Sequence, residues 1–163
     1  MADFTEILKL LEHDCTYTPE QIASMLELPR EIVEQKIREY EHSGVIQGYK
    51  AVVDWDNTQE ELVTALIDVH VTPQRDLGFD RVAERIYQYD EVQSLYLMSG
   101  GYDLSVVIAG RTMKEVALFV AQKLATIDGV SGTATHFILK KYKDGGILFQ
   151  QHEEQQERID QLV

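Results

Sequence analysis

The chain has 163 residues, 44% hydrophobic and 26% charged, a globular composition that excludes a disordered polymer and leaves room for one ordinary domain or two small ones. Fifteen Lys and Arg stand against 28 Asp and Glu, a formal charge of −13, so the molecule as a whole repels polyphosphates and anionic lipid unless its cations are gathered locally. Cys15 is the only cysteine, which excludes an intrachain disulfide framework and a multi-cysteine zinc site. It fits a reducing compartment, with the lone thiol expected as a small core residue. The opening MADFTEILKLLEHD is acidic and lacks the continuous apolar stretch of a secretion signal. No window approaches the ~18 apolar residues of a membrane span, and a cytoplasmic protein is expected.

Helical periodicity runs from Asp3 to Asp14, with Ile7, Leu8, Leu10 and Leu11 on one face. Thr18-Pro19-Glu20-Gln21 then supplies an N-cap hydroxyl, a proline at the first helical position and a glutamine placed to reach back as a capping box. This second helix, over about 18–27, carries Ile22, Ala23, Met25 and Leu26 and must stop before Pro29. A third, over about 30–43, repeats Ile32, Val33, Ile37 and Tyr40 and meets Gly44 where a left-handed C-terminal cap is needed. The tight link between the second and third helices predicts a helix-turn-helix, winged-helix-like, over residues 1–45, with Arg30 to Ser43 as recognition helix.

Val45 to Val53 is rich in β-branched and aromatic residues and predicts a connecting strand. A polar linker follows, so that 46–61 joins two domains. From 62 to 143 the order strand, helix, strand occurs twice: strands at 62–71, 92–98, 104–109 and 130–139, and helices at 79–89 and 112–124. The second helix is opened by the capping box Thr112 to Glu115. Two such units joined by the turn Ser99-Gly100-Gly101-Tyr102-Asp103 make an α+β, ferredoxin-like βαββαβ domain with both helices on one face of an antiparallel sheet. Gly100 and Gly101 are expected to permit positive φ and a close ligand approach to the backbone. Residues 144–163 read as an acidic tail, with Gln151 to Val163 lacking a core face.

Gly44-Val45-Ile46-Gln47-Gly48-Tyr49 after the third helix, Ser99 to Leu104 at the turn, and Gly129-Val130 with Thr133, Thr135 and Leu139 in the last strand occur in the order and at the separations of the Lrp/AsnC family of bacterial and archaeal regulators. The chain resembles that family from about residue 3 to residue 143. The resemblance implies a sequence-specific DNA-binding transcription regulator with no enzymatic activity. It implies a homodimer assembled through the sheet face of the effector domain, often extended to an octamer, with a small effector, typically an amino acid, held between effector domains. Carried over by motif, Gly100, Gly101, Tyr102 and Asp103 of one chain would face Thr133 and Thr135 of a neighbour. Asp103 is chemically suited to a ligand ammonium, and the hydroxyls to its carboxylate. The plainer alternative is a hairpin turn that Asp103 merely caps.

For DNA the candidate residues are Arg30, Glu31, Glu34, Gln35, Lys36, Arg38 and Lys50. Residues 1–60 hold five basic and thirteen acidic residues, a net of −8, and phosphate neutralisation supplies most DNA affinity, so a single head is expected to bind weakly. Arg30, Glu34 and Arg38 share one helical face, where Glu34 can pair with both arginines. Two departures from the family pattern stand out: Pro29 replaces a capping hydroxyl before the recognition helix, and Lys36 stands where an arginine is usual. Gln35 reading adenine, Arg30 reading guanine and several heads on one oligomer would offset this weakness.

Five histidines in separate elements show no metal-ligand spacing, and neither a metal nor a cofactor is expected. Alternation puts His136 on the strand face opposite Thr135. Trp55 is expected to anchor the linker, and Met98 to lie in the core or an interface. Arg81 and Arg85 are expected to form a surface face with Asp76 and Glu84, while Arg75, Arg81 and Arg85 are the nearest cations for an anionic substrate. Two other functions fit the same architecture: an effector sensor without strong DNA binding, and a tetrapyrrole decarboxylase. The latter lacks here both its His-Asn-Tyr stretch and a basic cluster for a polycarboxylate.

Overall fold

The computed structural model describes residues 4–72 and 78–149. They form two compact units, one running to Val53 and including Lys143–Leu148, the other comprising Asp54–Tyr142 and Phe149. Asp3, Arg75, Asp76 and the polar segment Gln151 to Val163 lie outside the described residues.

The first unit has three helices, α1 (Thr5–His13), α2 (Pro19–Leu26) and α3 (Arg30–His42). The Thr18 hydroxyl accepts the Gln21 backbone N–H at 3.3 Å and the Gln21 side chain accepts the Thr18 N–H at 2.8 Å, so the expected capping box opens α2. Its other end turns through Glu27 in the left-handed region, φ 52°, which lets Leu28 N–H reach the Ala23 carbonyl at 3.0 Å and aims α3 away. Pro29 gives α3 no side-chain cap, and Gly44 follows its end at φ 73°. Ile7, Leu11, Ile22, Ala23 and Val33 form the core of the three helices. Each large aliphatic side chain fully removed from water there contributes ~1.5–3 kcal/mol.

Two expectations fail in this unit. Val45 to Val53 forms no strand, because extended residues make a strand only by exchanging hydrogen bonds with another strand, and among the described residues none pairs with this segment. Cys15 is exposed, not in the core: it lies in the turn after α1, past the apolar face that Ile7 and Leu11 bury. Residues 144–148, expected in an acidic tail, belong instead to a hairpin. Lys143–Asp144 (β5) and Ile147–Leu148 (β6) pair as a hairpin across Gly145 and Gly146, both at positive φ, which is the demand of the shortest β-turn.

The second unit is a four-stranded antiparallel sheet in the order β2-β3-β1-β4, where β1 is Val63–Val71, β2 Val92–Leu97, β3 Leu104–Gly110 and β4 Val130–Phe137. Helices α4 (Asp80–Ile86) and α5 (Met113–Gln122) contribute Val82, Ile86, Val116, Phe119 and Val120 to a core with Ala65, Ile67 and Val69 of β1 and Leu104, Val106 and Ile108 of β3. This is the expected ferredoxin-like topology. The Thr112 hydroxyl caps α5 through the Glu115 N–H at 3.1 Å, but the Glu115 carboxylate reaches back to the Arg111 N–H at 2.8 Å, one residue beyond the box. Trp55 sits in a short 3₁₀ turn bordering Leu62, Thr64 and Ile138 and remains 40% exposed.

Candidate functional site

Six of the seven DNA candidates lie on α3, and the structure shows what each cation there does in the free protein. Arg30 donates from Nε to Glu34 Oε1 at 2.6 Å and also pairs with Glu20 of α2. Arg38 lies 3.9 Å from the other oxygen of Glu34. Lys36 Nζ sits 2.5 Å from Glu39 Oε2 and over the Phe4 ring, so its stem packs against the helical core. The Gln35 amide donates to Glu39 Oε1 at 2.8 Å. Glu34's hydrogen bond, then the charges of Glu20 and Glu34, raise Arg30 above its ordinary value, and the Lys36 and Gln35 hydrogen bonds hold Glu39 below its own. Glu31 is exposed. Lys50 lies off the helix, at a groove of about 630 Å³ shared with Leu8, Cys15 and Tyr49.

The effector candidates divide by face. Opposite residues of antiparallel strands share a face. Thr133 lies opposite Val69 and Thr135 opposite Ile67, so both threonines share the helix-covered face with those core residues. Leu66 lies opposite His136, and His70 opposite Gly132, which puts these on the open face. Asp103 belongs with the latter: its Oδ2 accepts the Val71 N–H at 2.8 Å and lies 3.7 Å from His70 Nδ1, while its N–H donates to Val69 O at 3.1 Å. The Tyr102 ring stacks on His70 with centroids 4.3 Å apart. Within one chain, Asp103 and the threonines therefore do not converge.

Gly100 and Gly101 do not take the expected positive φ. Their turn is closed by the Met98 N–H donating to Asp103 O at 2.8 Å, which leaves space above both glycines with nothing within 4 Å of where a Cβ would stand. Met98 is half exposed, outside the core of this unit. Arg85 pairs with Asp128 at 3.5 Å; the expected partner Asp76 lies outside the described residues.

Sequence reasoning missed His70 and the pair His136 with Asp68, 3.3 Å apart on the open face. The signal for His70 was the alternation of β1, which puts it on the face opposite Ile67 and Val69; its closeness to Asp103 needed the strand register. Among the described residues no group of three or more His, Cys, Asp or Glu is placed to hold a metal.

A helix-turn-helix joined in one chain to a ferredoxin-like domain is the architecture of a two-domain regulator. The model of the Lrp/AsnC ligand binding domain matches residues 64–148. YugG of Bacillus subtilis, described as an uncharacterized HTH-type transcriptional regulator, is 52% identical over 90% of this chain and 89% of its own. The HTH-type transcriptional regulator LrpA of Pyrococcus horikoshii is 29% identical over 84% of this chain and 94% of its own. Among solved structures, the transcriptional regulator NMB0573 of Neisseria meningitidis in its L-Met complex has the same fold, with a TM-score of 0.71 at 21% identity, covering 88% of this chain and 94% of that one. The chain belongs to the Lrp/AsnC family of transcriptional regulators. No helix among the described residues is long and apolar enough to cross a membrane.

Proposed function

We propose that this protein binds double-stranded DNA sequence-specifically through α3 and that a small zwitterion, an amino acid, sets its activity by binding between the effector domains of two chains. The observation that carries the effector reading is Asp103: one oxygen of its carboxylate is fixed by the Val71 N–H, and Oδ1 has no partner among the described residues, at a surface that the two glycines leave open. A fixed carboxylate with a free oxygen suits an ammonium group. Thr133 and Thr135 point to the other face of the sheet, so a site using both sets draws them from two chains. The half-exposed open face, with Leu66, Val107 and Tyr96, is one surface for a second copy, and the edge strand β4, which carries both threonines, is another at which a neighbouring chain reaches them, so that dimers assemble further into octamers. The L-Met complex of the Neisseria meningitidis protein supports the ligand class.

The test is calorimetry of the purified protein against a panel of amino acids, with fluorescence anisotropy on DNA from upstream of its own gene. The expected result is a tight ligand whose addition shifts DNA affinity, since an effector acts only through different free energies for two states. Saturating ligand with no change in DNA affinity or oligomer size would defeat the regulatory reading.

A further inference from the structure

Each of the three permanent cations of α3 is already held by a carboxylate of its own unit, and Glu34 holds two of them. Its Oε1 takes Arg30 Nε at 2.6 Å and its Oε2 faces Arg38 at 3.9 Å. The arginines are 55% and 69% exposed and Glu34 27%, so the acid sits between the two guanidinium groups with part of its own surface still open. Spacing fixes this arrangement: residues 30, 34 and 38 lie one above another on a helix. Glu20 adds a second acid to Arg30 from α2.

We infer that Glu34 is a specificity-determining residue of the DNA contact, a reading that rests on α3 being the DNA-reading helix. A phosphate approaching Arg30 or Arg38 must compete with Glu34 for the same donors and come close to its negative charge, so contact with the DNA backbone alone gains little. A matching sequence offsets that loss, because a carboxylate on a recognition helix accepts hydrogen bonds from the exocyclic amino group of cytosine in the major groove. Glu34 thereby lowers binding to all sequences and returns the loss only where such a donor is presented. In a molecule with −13 overall charge, this makes acidity a means of discrimination.

The test uses the full chain and fluorescence anisotropy on two duplexes, DNA from upstream of its own gene and a scrambled version, across a salt series. The variants are Glu34→Gln, nearly isosteric on an exposed helix face, and Glu31→Gln, which removes the same charge from the same helix. Glu34→Gln should tighten scrambled-duplex binding by about three- to tenfold and steepen its salt dependence by about one phosphate contact. The upstream duplex should gain less, so the ratio between the two falls. Equal effects of Glu34→Gln and Glu31→Gln, or an unchanged ratio, would overturn the assignment by reducing Glu34 to net charge. Failure of the unmodified protein to bind either duplex at low salt would instead defeat the DNA reading on which it rests. Matching thermal melts confirm that the variants are folded.

Discussion

Asp103 closes the end of β1 from the neighbouring turn, its Oδ2 taking the Val71 N–H at 2.8 Å while its own N–H returns to Val69 O at 3.1 Å. The alternative of a structural cap and that of a ligand carboxylate are therefore not exclusive: one oxygen is spent on the fold, and the side chain is still one-third exposed. Asp103→Ala leaves the Val71 N–H without its partner and should cost about 1–3 kcal/mol in urea unfolding. Asp103→Asn keeps an acceptor but loses the charge, so stability should change by less than half as much while effector affinity collapses. Asn retaining full affinity in calorimetry would remove the charge from the site.

Glu27 is the one non-glycine at positive φ among the described residues, and it makes the turn between α2 and α3. A side chain there strains the backbone, so Glu27→Gly should stabilise the helical unit by ~0.5–1 kcal/mol, less the entropy that glycine adds to the unfolded chain. Thr18→Ala at the opposite end of α2 removes half of a formed capping box and should cost ~0.5–2 kcal/mol. Thermal melts of both variants should move in opposite directions.

How much of this was legible in the chain follows from the range of the forces involved. The ends of α2 were readable because Thr18, Gln21 and Pro29 act on neighbours within one turn, and the sheet because the order strand, helix, strand occurs twice. The strand expected over 45–53 failed because residue type sets extension but not pairing. The β5–β6 hairpin was signalled by Gly145-Gly146 between short apolar and polar pairs, yet the acidic composition further on obscured it. His70 lies 33 positions before Asp103 and meets it only through strand register. Likewise, Thr133 and Thr135 were named as site residues without the opposite-facing geometry that the β1–β4 register imposes.

Lys123 Nζ lies 2.5 Å from Glu91 Oε1 and over the rings of Tyr89 and Phe119, linking α5 to the approach to β2. The Lys123 hydrogen bond is the main reason the Glu91 carboxyl falls below its ordinary value of 4.5. A carboxyl lowered in the folded state contributes stability above the unfolded value, and that contribution is lost as pH falls through the folded one. Acidifying from pH 6 to below 4.5 should thus lower the melting temperature more steeply in the unmodified protein than in Glu91→Gln, with the two curves converging at the acid end. Parallel curves would show that the pair adds nothing to the pH response.

The opposite orientation of Asp103 and Thr135 makes a prediction that no single-chain site shares. Asp103→Asn and Thr135→Val should each abolish effector binding, the first by removing the charge for the ammonium, the second by removing a hydroxyl while keeping a β-branched side chain opposite Ile67. If the site is built from Asp103 of one chain and Thr135 of another, a mixed dimer of the two variants contains one site with both residues intact and one with neither. Unfolding and refolding the variants together should then restore binding to about a quarter of the sites by random pairing of the two chains that share each site, with an affinity equal to that of the unmodified protein. Mixing the folded variants without exchange should restore none. Recovery in neither case, with mixed dimers confirmed by mass spectrometry, would place both residues in a site within one chain or remove one of them from it, and the separation imposed by the sheet would then have to be bridged by a movement of the turn at Gly100 and Gly101.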